Sequence, residues 1–283
     1  MQGLLCGIGA AVCWAFGFVS ARHGIIVGVS PLLIALHRFV WAGLALLPII
    51  AASGFRNLAG VGWRRGVVLT IFGGLPFSIA SYSGFLLVPL GHGGVIQPSC
   101  AAVAGLVLAR LALKEALSPR RIAGALAIII GLGVIGAEAF RTMGAHGVLG
   151  DVDFVATGCS FAIFGMLLRL WQIEPMRAVA VTSFLSFAGL PILLFTFDNM
   201  VAAGFYENLL QAVVQGAVAG AGATLLFTRA VTLLGAGRAV LFTALVPGIT
   251  LLIGYLALGE VPSLSQLVGF AIVLIGFRLT QGN

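Results

Sequence analysis

LALKEALSPRRIAGALAIIIGL (residues 111–132) and LALGEVPSLSQLVGFAIVLIGF (residues 256–277) are two copies of one block. Leu111 and Leu256, Glu115 and Glu260, Ser118 and Ser263, Gly124 and Gly269, and Gly131 and Gly276 all pair at a constant offset of 145, about half of the 283 residues. Self-similarity at half the chain length implies a duplicated unit. In a chain this apolar it points to a duplicated bundle of membrane helices, the architecture of many secondary transporters.

Composition supports that setting. Hydrophobic residues make up 60% of the chain and charged residues 8%, with mean hydropathy +1.16, against about 25% charged in an ordinary soluble domain. Each crossing of the bilayer takes about 20 apolar residues, so the length accommodates about ten crossings joined by short loops. The N-terminus has no basic run before its apolar stretch and reads as a retained first span rather than a cleaved signal.

The net charge of +7 would suggest nucleic acid in a soluble protein. Here it reads as cytoplasmic loop charge, and no nucleic-acid partner is expected. Cys6, Cys13, Cys100 and Cys159 lie inside apolar runs with no disulfide or metal-ligand spacing. No metal site, cofactor or catalytic residue is predicted, and the absence of a GxxxxGK[ST] run argues against an ATP motor.

Apolar runs between charged or Gly/Pro punctuation predict spans near 3–22, 31–51, 66–89, 94–113, 119–137, 147–169, 178–197, 208–229, 238–257 and 263–279. With the N-terminus in the cytoplasm, Arg56, Arg64, Arg65, Arg110, Lys114, Arg120, Arg121, Arg169, Arg177, Arg229, Arg238 and Arg278 fall inside, and only Arg22 and Arg141 outside. That asymmetry fixes both termini as cytoplasmic. Five spans per half is an odd number, so the second half must enter the membrane inverted. The predicted fold is an all-α polytopic membrane protein: ten transmembrane helices in two inverted five-helix repeats, residues 1–140 and 146–283.

These residues carry a family likeness. Ala11, Trp14 and Gly17 in the first span, Arg38-Phe39 in the second, and the repeated Glu115…Gly124…Gly131 and Glu260…Gly269…Gly276 resemble the drug/metabolite transporter superfamily, specifically its ten-span EamA-type permeases. The likeness is nearest to the YddG-like branch. It implies a bacterial inner-membrane protein that exports aromatic amino acids and related compounds. One departure is that Pro247 of the ninth span has Ala102 as its repeat partner, while the fourth span carries Pro98 nearer its outer end.

A binding site is expected near the midplane between the halves, where interrupted helices free backbone groups for a ligand. The polar candidates there are Ser78, Tyr82, Gln97, Ser99, Thr224 and Thr243. Any of the hydroxyls can instead bond its own helix backbone. Aromatic candidates for stacking a planar or apolar substrate are Trp14, Trp41, Phe161, Phe164, Phe227 and Phe242, with core or lipid contact as the alternative. His37 and Arg38 are the strongly polar pair inside a span, and an ionisable residue at that depth is a candidate for function. Glu115 and Glu260 each precede a helix start by three residues and read as structural turn residues.

All eight acidic residues are placed in loops or at helix ends. With no midplane carboxylate, proton coupling would have to use His37 or His92, since imidazole titrates near neutral pH, and transport is expected to persist without a pH gradient. The reading is a secondary exporter of small metabolites, most directly aromatic or apolar amino acids. Its partners are a small-molecule substrate and the lipid bilayer, and it acts as a monomer or weak homodimer. The alternatives are an exporter of cationic drugs or another metabolite class, and a membrane-embedded enzyme. For the enzyme, no acid pair, metal cluster or nucleophile with its base is spaced within the spans.

Overall fold

The computed structural model describes all residues except 113, 115, 236–238 and 281–283, and only the backbone of Val240 and Leu241. Glu115 and Arg238 therefore lie outside the described residues. Among those described, the chain is helical throughout, with no strand. The α-helices are α1 Gln2–Ile26, α2 Pro31–Ser53, α3 Trp63–Gly73, α4 Leu75–Gly84, α5 Leu90–Ala112, α6 Pro119–Trp171, α7 Pro175–Leu185, α8 Leu193–Gln211, α9 Ala223–Leu234, α10 Val246–Leu258 and α11 Leu264–Thr280. Among the described residues, six stretches are long and apolar enough to cross a membrane. The fold is that of a polytopic membrane protein.

Two of those stretches, of 53 and 60 residues, far exceed one crossing, which takes about 20 residues. A glycine reverses the chain inside each. Gly144 has φ +60° and Gly204 φ +76°, a region open to glycine at little cost because it has no Cβ. The reversal is visible in contacts. A Cβ at Gly136 would lie 3.8 Å from Asp151 Oδ2, whereas a straight helix would separate these residues by about 22 Å. Likewise Asn208 Nδ2 donates to Met200 O at 2.7 Å and to Gly204 O at 2.6 Å. The predicted loops between 137 and 147 and between 197 and 208 are thus helical up to a single-residue turn.

Other predicted spans are interrupted. The stretch read as one span over 66–89 is α3 and α4, broken at Gly74. A 3₁₀ turn, Ser186–Ile192, separates α7 from α8, and a π-helical segment, Ala212–Gly222, separates α8 from α9. The repeat partner of Gly74 is Ala219, inside the π segment. Each copy of the repeat therefore carries an irregularity at the corresponding sequence position.

The repeated glycines form a seam. A Cβ at Gly124 would lie 2.7 Å from Gly276 O, and one at Gly131 would lie 2.6 Å from Gly269 O. Gly124 thus meets the repeat partner of Gly131, and Gly131 meets the repeat partner of Gly124. Exchange of partners is the signature of a two-fold contact, and the falling numbers along α11 make the two helices antiparallel. Such small residues let backbones approach closely where lipid provides no hydrophobic drive for association. One apolar core runs through α1, α2, α4, α5 and α6 around Phe39, Phe85 and Phe154. A second, around Leu69, Phe164 and Val181, joins α3 to α7.

Candidate functional site

Helix α2 begins at Ser30, whose Oγ accepts from Leu33 N, followed by Pro31 in the first turn, a strong helix start. From that register His37 and Trp41 lie one turn apart, and Trp41 Nε1 donates to His37 Nδ1 at 3.1 Å. His37 Nε2 lies 3.0 Å from Asn208 Oδ1. The Asn208 amide nitrogen is committed to two carbonyls, so its oxygen must accept. Indole N–H can only donate. His37 is therefore held as the neutral tautomer with its proton on Nε2, a fixture between α2 and α8 rather than a free proton carrier.

Arg38, next in sequence, faces a different set of partners. Its Nη1 lies 3.4 Å from Tyr82 OH, a long and weak contact. Tyr82 OH donates to Gln215 Oε1 at 2.8 Å, and Gln215 Nε2 donates to Gly17 O at 2.8 Å. This chain links α2, α4, the π segment and α1. A Cβ at Gly17 would sit 2.7 Å from the Ala219 Cβ and 3.8 Å from both Arg38 Nη1 and Gln215 Oε1, so the site needs glycine there. Among the described residues no carboxylate comes within ion-pair distance of Arg38, whereas Arg22 has Glu260 and Arg177 has Glu174. Arg38 is half-buried, and a cation so placed without a counter-charge is costly.

The polar chain continues toward one end of the bundle. Gln211, fully buried, accepts from Ser20 Oγ at 3.1 Å and donates to Ser20 O at 2.9 Å and to Glu207 Oε1 at 2.7 Å. Glu207 Oε2 in turn lies 3.2 Å from His23 Nε2. Sequence reasoning missed Glu207, Gln211 and Gln215. Their signal was spacing: at i, i+4 and i+8 they share one face of a helix.

The remaining candidates separate into groups. Trp14 and Phe227 rings lie 5.3 Å apart, and Phe161 stacks with Phe77 and Phe164, each at 5.8 Å. Phe164 also packs on Gly73 beside the α3–α4 break, and Phe242 packs on Gly7. Trp41 and Phe161 are nearly half exposed, at 45% and 47%. Gln97 accepts from Ser81 Oγ at 3.1 Å. Ser99 and Thr224 bond their own helix, to Val95 O at 2.6 Å and Gly220 O at 2.8 Å. Ser78 is buried in α4, and Thr243 belongs to the 3₁₀ turn Val240–Leu245. Arg38 and Tyr82 thus come together with Gln215, while Ser99 and Thr224 face inward on their own backbone.

Glu260 occupies an unexpected position. Its Oε1 pairs with Arg22 Nε at 2.6 Å and its Oε2 accepts from Leu90 N at 2.8 Å. Arg22 Nη1 also donates to Phe85 O at 2.6 Å. The start of α11 is instead capped by Ser263, whose Oγ accepts from Gln266 N while Gln266 Oε1 accepts from Ser263 N, a reciprocal capping box. A cavity of about 290 Å³ beside Glu260 is lined by Glu138, Ser263 and Gln266, away from Arg38.

Asp151 departs from the expectation that every carboxylate sits at a loop or helix end. It is buried on α6 beyond the Gly144 reversal and lies 2.8 Å from the enclosed His92. The turn takes one residue, which brings Asp151 into the packed part of the helix. Among the described residues, no three His, Cys, Asp or Glu side chains converge as metal ligands.

The EamA-like transporter family matches this chain over residues 1–137 and 149–281. The chain belongs to the EamA-like transporter family. It is accordingly a membrane transporter of small solutes. No curated protein matches the EamA-like chain. A solved crystal structure of a protein with 20% identity covers 98% of the EamA-like chain and 96% of its own, with a TM-score of 0.65. At that identity the similarity shows a shared fold.

Proposed function

We propose that this chain is a secondary transporter that exports small metabolites, most directly aromatic or apolar amino acids, by alternating access of two inverted five-helix halves. The 53- and 60-residue stretches each cross twice and the shorter apolar helices Phe242–Leu258 and Leu264–Thr280 once each, giving with the other four stretches ten spans and both termini on the cytoplasmic side of a bacterial inner membrane. The antiparallel exchange of glycines between α6 and α11 supports inversion of the repeats, and family matches over residues 1–137 and 149–281 support the duplication itself.

The observation that carries the substrate reading is Arg38. A half-buried guanidinium without a carboxylate, held by one long contact to Tyr82, has donors to offer an anion. Arginine favours a planar carboxylate that can accept two N–H bonds. Trp14 and Phe227 offer aromatic surface to the rest of the substrate, and the interrupted backbone at Gly74 and in the π segment offers groups for an ammonium. Among the described residues no carboxylate pairs with Arg38, which disfavours a cationic drug at this site. Counterflow from proteoliposomes loaded with amino acids, quaternary amines and nucleotides tests the proposal. Exchange of amino acids alone is the expected result, and exchange of amines alone would reject the substrate class.

A further inference from the structure

The cavity of about 290 Å³ beside Glu260 lies where the two halves meet. It is enclosed by the start of α5, the part of α6 leading into the Gly144 reversal, the end of α10 and the start of α11. In the orientation proposed above this is the outer end of the bundle. The volume is near the lower limit for small-molecule pockets, about 300 Å³, so the cavity suits a single-ring or smaller molecule. Leu90, Met143, Leu251, Val261 and Pro262 supply an apolar wall.

The polar groups on the wall are unequally satisfied. Glu260 is matched by Arg22, 2.6 Å away, and also accepts from Leu90 N. Glu138 has no such match. Its Oε2 accepts from Ser263 Oγ at 2.7 Å, its Oε1 accepts from no group, and among the described residues no cation is within ion-pair distance of it. Two carboxylates and one guanidinium leave one negative charge, which an apolar wall disfavours unless a cation meets it. Gln266 adds a second unmet demand. It is 6% exposed, its Oε1 accepts from Ser263 N at 3.4 Å, and its amide nitrogen donates to no described group. A buried N–H without an acceptor is costly. Both side chains are tied to Ser263 and so stand side by side. Together they specify a ligand: an ammonium for Glu138, an oxygen acceptor a few bonds away for Gln266, and a small apolar remainder. A bare metal ion fits less well, because it takes several oxygen ligands and Glu260 is already engaged.

We propose that this cavity is a binding site for a small primary ammonium compound with an oxygen acceptor close to its nitrogen, held by Glu138 and Gln266 between the two halves. Its outward position rests on the transporter reading; the chemistry of the site does not. Two sources present that chemistry at the outer face. One is an amino acid leaving the transporter, whose ammonium stands beside its carboxylate. The other is the headgroup of an ethanolamine phospholipid.

Phenylalaninol carries the ammonium, a neighbouring hydroxyl and one ring, and lacks the carboxylate that Arg38 reads. Its equilibrium binding to the full chain in phosphatidylglycerol nanodiscs should be saturable. Glu138→Gln should weaken that binding about tenfold or more, the scale of a lost charge-assisted hydrogen bond. Thr142→Lys places an ammonium from the chain itself at an exposed, cavity-lining position one turn past Glu138. It should abolish binding without lowering the unfolding midpoint, since Glu followed by Lys at i, i+4 is a favourable helix pair. Parent-like affinity in either variant, or no saturable binding by the parent, overturns the proposal. Nanodiscs of phosphatidylethanolamine separate the two sources: weaker apparent affinity there assigns the site to the lipid headgroup, and equal affinity assigns it to the free amine. Binding is read without flux, so failure of the transporter reading is seen separately in the counterflow assay.

Discussion

Tyr82 and Gln215, separated by 133 residues, share a hydrogen bond of 2.8 Å that joins α4 to the π segment. Gln215 is fully buried, and its amide nitrogen is already committed to Gly17 O. Its oxygen is therefore satisfied through Tyr82. Tyr82→Phe leaves that acceptor unpaired and should destabilise the protein by about 1–3 kcal/mol. Thermal unfolding in detergent checks this, and an unchanged midpoint would show that water replaces the hydroxyl.

Arg38→Gln should lower exchange of phenylalanine about tenfold or more, the scale of a lost charge-assisted hydrogen bond. Thermal unfolding of the variant should stay near that of the parent. Arg38→Lys should recover only part of the lost exchange, because an ammonium cannot present two parallel N–H groups. A matching fall in the unfolding midpoint would mark Arg38 as a structural clamp.

The Arg22–Glu260 pair is about four-fifths buried on each side chain. Glu260→Gln removes its charge and should cost about 1–2 kcal/mol, between the ranges for exposed and buried pairs. A double-mutant cycle with Arg22→Gln measures the pair directly. Additive losses would mean that the bond from Leu90 N to Glu260, and not the ion pair, holds this turn.

Gly131 and Gly133 are two residues apart on α6 and should respond oppositely to alanine. A Cβ at Gly131 meets Gly269 O at 2.6 Å, whereas one at Gly133 meets nothing within 4 Å. Gly131→Ala should destabilise by about 1–3 kcal/mol. Gly133→Ala should be neutral or stabilising by up to about 1 kcal/mol, because alanine is the better helix former. Matched thermal unfolding of the two variants tests the seam, which similar midpoints would contradict.

The duplication and the apolar runs were legible because they rest on local periodicity and hydropathy. Arg38 and Tyr82 stood out because polar atoms in an apolar run demand partners. The partners themselves were hidden. Gln215 acquires its meaning only when the π segment packs across α1 and α2 and meets Tyr82 of α4, contacts far apart in sequence. Asp151 looked like a helix-end residue because loop length is ambiguous in sequence, and the single-residue reversal at Gly144 sets its depth. The break at Gly74 was likewise concealed in a continuous apolar run, where hydropathy carries no record of a broken hydrogen-bond ladder.

The glycine seam between α6 and α11 has a mechanical consequence. At Gly124 and Gly131 the nearest facing atoms are main-chain oxygens of Gly276 and Gly269, with the short side chains of Thr280 and Val273 packed beside them, so the two backbones meet almost directly. Any rocking of one half on the other must turn about this line, as about an axle, while the displacement is taken up at the irregular backbone of Gly74 and Ala212–Gly222.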